Sequence, residues 1–275
     1  MAISQLSFDH NEVSRDLIDS WRSFKALVES LEESELNYET QCPNWRARDV
    51  VAHIIGIEKM LLGEPVPDVT LDVSPHIKNE VGELNERWVL ALANLDVTAL
   101  ITLLSETVLE RELALSKMTE SDFDKPGWSP VGEVPYKRFM SIRVFDIWTH
   151  EQDIREATHR YGNLDTSPAR RSYLEALYTM GYVVAKRTSA KEGDSVAFLI
   201  QDAEPFSVVV SQGKGIVEDA NESSANCSII TDLATFMRLI AGRVTAKELS
   251  GGDRVSSTGD VVLAQEVLDN IAYTI

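Results

Sequence analysis

This sequence lacks both a long apolar run and a cysteine framework. No stretch of about 18 consecutive apolar residues occurs, so no membrane span is expected. The two cysteines, Cys42 and Cys227, stand far apart and form no spaced pair. We therefore expect a protein without disulfides in a reducing cytoplasm. The N-terminal residues show no basic segment followed by an apolar run, so no secretory signal is predicted.

Basic side chains are also scarce. The 275 residues include 44 acidic and 26 basic side chains, which gives a formal net charge of −18. Such a surface repels phosphate backbones, so nucleic acid is not expected as a partner. The hydrophobic fraction of 44% and the charged fraction of 25% are typical of a soluble globular protein. Composition leaves open whether the protein is a monomer or a homodimer.

The first part of the chain shows helical spacing of its apolar residues. Asn44 is the predicted N-cap of the second helix, and a break in the third region is expected near Leu95–Asp96. The predicted helical regions are Leu6 to Leu36, Trp45 to Leu62, His76 to Lys117 and Pro135 to Tyr161. This pattern predicts a four-helix bundle with one long crossover loop over residues 1–165.

The remainder of the chain, residues 166–275, changes character. A helix is predicted from Ser167 to about Arg187, and further helices are predicted at LATFMRLIAGR and at DVVLAQEVLDNIAYTI. Short runs rich in β-formers lie between them: SVAFLI, FSVVVS, GIVED, CSIIT and RVSST. The SQGKG segment predicts a hairpin turn. Strands flanked by helices indicate an α+β domain, so the fold class of the whole chain is α+β.

The segment RVFDIWTHEQDIREA carries a polar stripe on a helix whose other residues predict burial. Asp146 and His150 are one helical turn apart and are predicted to point inward. His53 shares the apolar face of the second helix, so it also points into the bundle. Facing helices commonly assemble a metal site in this way. Two imidazole nitrogens and a carboxylate oxygen suit Zn²⁺ or a similar divalent ion.

The same residues also fit a purely structural interpretation. A lone inward histidine is often a hydrogen-bonded core residue, and an Asp–His pair at this spacing is often a simple helix contact. If a metal is bound, Arg143 and Asp153 are expected to orient its ligands or to complete charge pairs. Spacing alone leaves both interpretations open.

Two segments carry a resemblance to a known family. CPNWRARDVVAHIIGIEKMLLGEP and RVFDIWTHEQDIREA resemble the signature regions of the mycothiol-dependent maleylpyruvate isomerase family, a branch of the DinB-like metal-binding four-helix bundles of actinobacteria. The segment from about Ser195 onward is similar to the C-terminal domain of that family. The resemblance thus implies a DinB-like bundle followed by a small sterol-carrier-like α+β domain.

The resemblance also implies site residues. The metal ligands of the family fall on His53, Asp146 and His150 of this chain, where the family has glutamate at the position of Asp146. An arginine that the family uses for an anionic group falls on Arg243. A cation near the end of a helix is also favoured by the helix dipole, so Arg243 has a structural explanation as well. The implied cofactors are a divalent metal, Zn²⁺ first, and mycothiol as the thiol cosubstrate.

The leading hypothesis is therefore a metalloenzyme that activates a low-molecular-weight thiol for addition to a small electrophile. It would act as an isomerase or as an S-transferase. Two rival hypotheses come from other classes: a non-enzymatic protein that binds a small molecule or a lipid, and a metal-dependent hydrolase. Dependence of turnover on a thiol separates the three.

Overall fold

The computed structural model describes residues 4–72, 76–249 and 252–273. Two compact units make up this part of the chain. Ser7–Ser172 form a helical unit, and the chain from Tyr173 onward forms a C-terminal unit together with residues 4–6.

The helical unit is built on long helices with apolar inner faces. Helix α1 buries Val13, Leu17, Trp21, Phe24 and Val28, which recur at intervals of three or four residues. Its α-helices are α1 (His10–Glu29), α2 (Ala47–Leu61), α3 (Glu80–Leu92), α4 (Val97–Ser116), the short α5 (Glu120–Phe123) and α6 (Tyr136–Ala157). A two-stranded antiparallel sheet of β1 (Pro126–Gly127) and β2 (Val134–Pro135) precedes α6. Helices α1, α2, α4 and α6 pack as the four members of the bundle.

Several helix ends differ from the prediction, and α1 spans His10–Glu29 within the predicted Leu6 to Leu36. Helix α2 begins at Ala47 rather than Trp45, and Arg46 instead of Asn44 stands at the N-cap position. Asn44 adopts a φ of 65°, so it belongs to the preceding turn. Helix α6 ends at Ala157, four residues before the predicted end. His159 adopts a φ of 55° there, and a left-handed residue ends a helix.

The C-terminal unit is a mixed sheet with helices. Its strands are β3 (Ser195–Gln201), β4 (Phe206–Ser211), β5 (Lys214–Asp219), β6 (Cys227–Asp232) and β7 (Val255–Gly259), and its helices are α8 (Leu233–Ile240), α9 (Ala246–Leu249) and α10 (Val261–Asn270). Helix α7 (Ser167–Arg187) begins in the helical unit and contributes most of its length here. The strand order is β5-β4-β3-β6-β7, in which only β3 and β6 are parallel.

The hairpin between β4 and β5 follows the predicted turn. Gln212 and Gly213 have φ angles of 51° and 68°, the positive values that a two-residue hairpin of type I′ needs. Three phenylalanines form the core beside the sheet: Phe198 and Phe206 stack at 4.6 Å between ring centroids, and Phe236 of α8 meets both edge to face.

The predicted fold class is confirmed. A helical unit is followed by a unit of mixed sheet and helices, which is an α+β architecture. None of the helices in the described residues combines the length and apolarity that a membrane crossing needs.

Candidate metal centre

The structure brings the three predicted ligands together inside the helical unit. His53 comes from the middle of α2, and Asp146 and His150 come from successive turns of α6. Nε2 of His53 lies 3.2 Å from Oδ2 of Asp146, and Nε2 of His150 lies 3.6 Å from Oδ1 of the same carboxylate. All three residues offer ligand atoms within 4.8 Å of one another.

These separations fit the spacing of donors around a small ion. Ligand atoms bound at about 2.0 to 2.2 Å around a tetrahedral ion lie about 3.3 to 3.6 Å apart. The separations of 3.2 and 3.6 Å are at or close to that spacing. Two imidazoles and one carboxylate are also the donor types that Zn²⁺ and similar ions take. The residues present therefore fit a divalent ion with a position left for another ligand.

A carboxylate orients His150. Its Nδ1 lies 2.9 Å from Oδ2 of Asp153, and both side chains are buried. Because an ionised carboxylate only accepts hydrogen bonds, this contact places the proton of a neutral His150 on Nδ1. The lone pair of Nε2 then faces Asp146. Asp153 thus contacts His150, and a carboxylate in this position commonly supports metal-bound histidines.

His53 is held in its neutral form. Its side chain is buried within α2, and burial lowers the pKa of the imidazole from 6.5 to about 4. The charge of Asp146 opposes this shift without overcoming it. Nδ1 of His53 has no hydrogen-bond partner among the described residues. A neutral imidazole is the form that ligates a metal, so burial prepares His53 for that role.

Asp146 keeps its charge despite its surroundings. Burial alone raises the pKa of its carboxyl, but the positive charge of Arg143 and the contact with His53 outweigh burial, and the net shift is downward. Arg143 lies three residues earlier on α6 and donates from Nη1 to Oδ2 of Asp146. The carboxylate is therefore ionised at neutral pH, as a metal ligand must be.

Trp45 forms an aromatic wall beside the two histidines. Its ring centroid lies 5.1 Å from that of His53 and 5.7 Å from that of His150. The CPNW sequence explains its placement. Pro43 and Asn44 are the central residues of a turn closed by a hydrogen bond from Trp45 N to Cys42 O, and the positive φ of Asn44 suits the third position of a type II turn.

Glu58 is a site residue that sequence reasoning missed. It lies on α2, five residues after His53, and its side chain is 1% exposed. Arg111 of α4 donates from Nε to Oε2 of Glu58 at 2.8 Å, and Arg143 donates from Nη2 to Oε1 at 2.7 Å. Burial raises the pKa of Glu58, but the charges of Arg143 and Arg111 outweigh it, so the net shift is downward. An acidic residue in an otherwise buried helix was the available signal.

Two other residues bear on the site. Cys42 offers its sulfur within 4.8 Å of ligand atoms of His150 and Asp153, so a second group of possible ligands shares His150 with the first. Arg243, the predicted arginine, lies in the C-terminal unit after α8. Its Nη1 donates to the carbonyl oxygen of Ala241 at 2.9 Å.

Two solved structures of a mycothiol-dependent maleylpyruvate isomerase share this fold over most of the chain. The crystal structure of the mycothiol-dependent maleylpyruvate isomerase aligns with a TM-score of 0.59 at 18% identity, covering 93% of this chain and 96% of that chain. A mutant of that isomerase with one histidine replaced by alanine aligns over the same shares, with a TM-score of 0.57 and 17% identity. An uncharacterised protein from Clostridium difficile 630 has a TM-score of 0.43 and 15% identity, covering 55% of this chain and 96% of its own. No curated protein matches.

Two family models match the sequence. The SCP-2 sterol transfer family matches residues 183–269, within the C-terminal part of the chain. The mycothiol maleylpyruvate isomerase N-terminal domain matches residues 17–155, which is half of the chain and includes all three candidate ligands. The resemblance seen in the two sequence motifs is thereby confirmed, and the chain belongs to the mycothiol maleylpyruvate isomerase family.

Proposed function

We propose that this protein is a thiol-dependent metalloenzyme whose divalent ion is held by His53, Asp146 and His150. One observation carries the proposal: ligand atoms of these three residues, drawn from two helices, lie within 4.8 Å of one another. Membership of the mycothiol maleylpyruvate isomerase family supports mycothiol as the thiol. A structural neighbour named for maleylpyruvate supports a small, electrophilic substrate of that kind.

A divalent ion bound at this position would supply a Lewis acid that lowers the pKa of a thiol beside it. The protein side chains prepare the site for that role. Asp153 holds the proton of His150 on Nδ1, so that Nε2 presents its lone pair. Burial keeps His53 neutral. The ring of Trp45 packs beside both imidazoles.

The reaction we propose is addition of the thiol sulfur to a carbon–carbon double bond conjugated to a carbonyl group. The S–H bond and the carbon–carbon π bond break and a carbon–sulfur bond forms, while the π electrons and the thiol proton pass to the conjugated carbonyl group as its enol. The former double bond is then a single bond that is free to rotate. Breaking the carbon–sulfur bond again regenerates the thiol and gives the geometric isomer. Retention of the carbon–sulfur bond would instead give an S-conjugate, so isomerase and S-transferase activities share the same first step.

Metal content tests the ligand assignment. We expect the protein purified without chelators to carry close to one divalent ion per chain, identified by elemental analysis. His53→Ala and His150→Ala should each lose most of that metal, because two remaining ligands hold an ion weakly. His159→Ala is the matched control, since His159 is exposed and lies outside the cluster. Full occupancy in both ligand variants would refute the assignment.

Thiol dependence tests the reaction class. We expect metal-loaded protein to isomerise maleylpyruvate only when mycothiol is added, and to lose this activity in His150→Ala. Turnover of an ester or amide without any thiol would instead favour the hydrolase. Lack of turnover, with retained binding of an apolar ligand by the His53→Ala protein, would favour a non-enzymatic binding protein.

Arg243 stays a prediction from the resemblance. We propose that its guanidinium binds an anionic group of the substrate or thiol, since a guanidinium pairs with a carboxylate through two hydrogen bonds. Arg243→Lys keeps the charge but loses that geometry. A raised KM for maleylpyruvate with unchanged metal content is the expected result, and an unchanged KM would contradict the role.

A further inference from the structure

A chain of buried charges connects the interior of the bundle to the candidate ligand Asp146. Arg111, Glu58 and Arg143 are almost completely excluded from solvent, with side-chain exposures of 2%, 1% and 4%. Asp146 is the exception, with 29% of its side chain exposed. This series of charged side chains therefore begins in the solvent-excluded core and ends at Asp146, which is partly exposed to solvent.

Charge balance requires Asp146 to be part of this chain. Arg111 and Arg143 bring two positive charges into the core, and Glu58 supplies one negative charge. An unpaired ion in a protein interior is strongly unfavourable. The carboxylate of Asp146, which accepts from Nη1 of Arg143, is the fourth charge and makes the set neutral.

The guanidinium of Arg143 has little freedom to turn. Its Nη2 and Nε both donate to Oε1 of Glu58, at 2.7 and 3.2 Å. Because a guanidinium is planar and rigid, two contacts on one edge fix the direction of the remaining Nη1. That nitrogen contacts Oδ2 of Asp146. Oδ1 of the same carboxylate is left facing Nε2 of His150 at 3.6 Å.

Glu58 also ties two ligand-bearing helices together. It lies on α2, the helix that carries His53, while Arg143 lies on α6 with Asp146 and His150. A shift of α6 against α2 would disturb the contacts between Glu58 and Arg143 and would also move His53 relative to the candidate ligands of α6. The ion pair thus contributes to the spacing between His53 and the α6 ligands.

We propose that Glu58 and Arg143 are positioning residues: Glu58 fixes the guanidinium of Arg143, and Arg143 holds the carboxylate of Asp146 in the orientation that places Oδ2 3.2 Å from Nε2 of His53 and Oδ1 toward His150. This inference rests on the proposed function, because it assumes that the three ligands bind a metal. It adds two residues that the ligand set does not contain.

Cobalt binding to the full-length protein tests the proposal. Arg143→Lys keeps a positive charge but cannot span both carboxylates, so we expect affinity for Co²⁺ to fall about 10- to 100-fold, the usual effect of losing a group that supports a ligand. The dissociation constant is measured by competition with a chromophoric chelator. We also expect the visible absorption of bound Co²⁺ to change in Arg143→Lys, because a released Asp146 alters the number or symmetry of ligands. Glu58→Gln should produce both changes in weaker form.

The matched control is Arg171→Lys, which alters another buried arginine of the helical unit, paired with Asp16. It should lower thermal stability while leaving the Co²⁺ affinity and spectrum of the wild type. An Arg143→Lys protein that is folded and keeps both wild-type properties would overturn the proposal.

A measurement on the unaltered protein covers the case in which the variants do not fold. The guanidinium hydrogens of Arg143 should give slowly exchanging nuclear magnetic resonance signals that persist when Zn²⁺ is saturating. Fast exchange in the metal-loaded protein would overturn the positioning role alone. Failure of the wild type to bind Co²⁺ or Zn²⁺ would overturn the proposed function first, and this inference with it.

Discussion

At the scale of single residues, the fold keeps the buried imidazole of His53 in its neutral form. His53 sits in the middle of α2 with 2% of its surface exposed. Burial disfavours its charged form and lowers its pKa to about 4. At neutral pH the imidazole is therefore in the uncharged form that binds metal ions.

This pKa shift predicts how the stability of the metal-free protein depends on pH. The unfolded chain takes up a proton on His53 near pH 6.5, whereas the folded chain does so only near pH 4. The contribution of neutral His53 to the free energy of unfolding should thus be complete above pH 6.5 and should decrease as the pH drops toward 4. The loss amounts to about 3 kcal/mol at most. Urea unfolding in the presence of a chelator measures it.

The histidine control separates this effect from other titrations. His53→Gln should have a shallower decline of stability across that pH range, because glutamine does not titrate. His159→Gln should keep the wild-type decline, because His159 is exposed. Equal slopes for wild type and His53→Gln would show that His53 is not the group responsible.

The proximity of the three candidate ligands could be predicted from the sequence, but the charged side chains around them could be predicted only in part. Asp146, His150 and Asp153 repeat on one face of α6, so spacing within a helix was enough to relate them. Glu58 is different, because its partner Arg111 lies 53 residues away on another helix. Periodicity relates residues of one helix and carries no information on which side chains meet across a bundle.

At the scale of secondary-structure elements, α7 and β5 approach each other at the level of their backbones. A Cβ atom built on Gly181 of α7 would lie 2.5 Å from the carbonyl oxygen of Gly215 in β5. A Cβ atom on Gly215 would lie 2.1 Å from the carbonyl oxygen of Gly181. Both distances are shorter than van der Waals contact, and backbone atoms cannot rotate away as side chains do. Two glycines are therefore required where the helix crosses the strand.

The stability of Gly181→Ala distinguishes the effect of this close backbone contact from the effect of helix propensity. Alanine in a helix interior is more favourable than glycine by about 1 kcal/mol, so propensity alone predicts a more stable protein. We expect the opposite, a loss of about 1 to 3 kcal/mol, because overpacking forces the helix and the strand apart. Urea unfolding followed by circular dichroism measures the difference.

Gly82→Ala is the control for that experiment. Gly82 lies in the first turn of α3, where an added Cβ would meet its nearest atoms at an ordinary 3.7 Å. It should be neutral or stabilising. A stabilising Gly181→Ala would show that the two backbones are further apart than in this structure.

Local sequence signals were sufficient for most elements of the C-terminal unit. The predicted strand FSVVVS coincides with β4, and the predicted helix from Ser167 to Arg187 coincides with α7. Turn-forming residues lie directly before and after these segments, which explains why the predicted limits agree with the observed ones. The predicted end of α6 was wrong by four residues, because the sequence offers no proline or glycine after Ala157 until Gly162. His159 takes the left-handed conformation that glycine usually supplies.

At the scale of the whole molecule, the first turns of α7 complete the helical unit. Asp16 of α1 is buried, with 4% of its surface exposed. Its carboxylate accepts hydrogen bonds from Ser167 and Arg171 at the beginning of α7. Arg171 also donates to the carbonyl oxygen of Ser7 at 2.7 Å. These contacts hold α7 to α1 within residues 7–172.

The sequence-based division at residue 165 stays a prediction, and truncation tests it. A chain that ends at residue 165 lacks Ser167 and Arg171, the partners of Asp16, whereas a chain that ends at residue 172 retains both. We expect the shorter fragment to be less stable by about 3 to 5 kcal/mol, the usual cost of breaking a buried ion pair from one side. Asp16→Asn should restore part of this loss in the shorter fragment, because it removes the unpaired charge. In the full-length protein, Arg171→Met should lower the free energy of unfolding, because it leaves Asp16 without its ion-pair partner. Equal unfolding free energies for the two fragments would place the end of the bundle before α7, because the contacts of Ser167 and Arg171 would then contribute nothing to its stability.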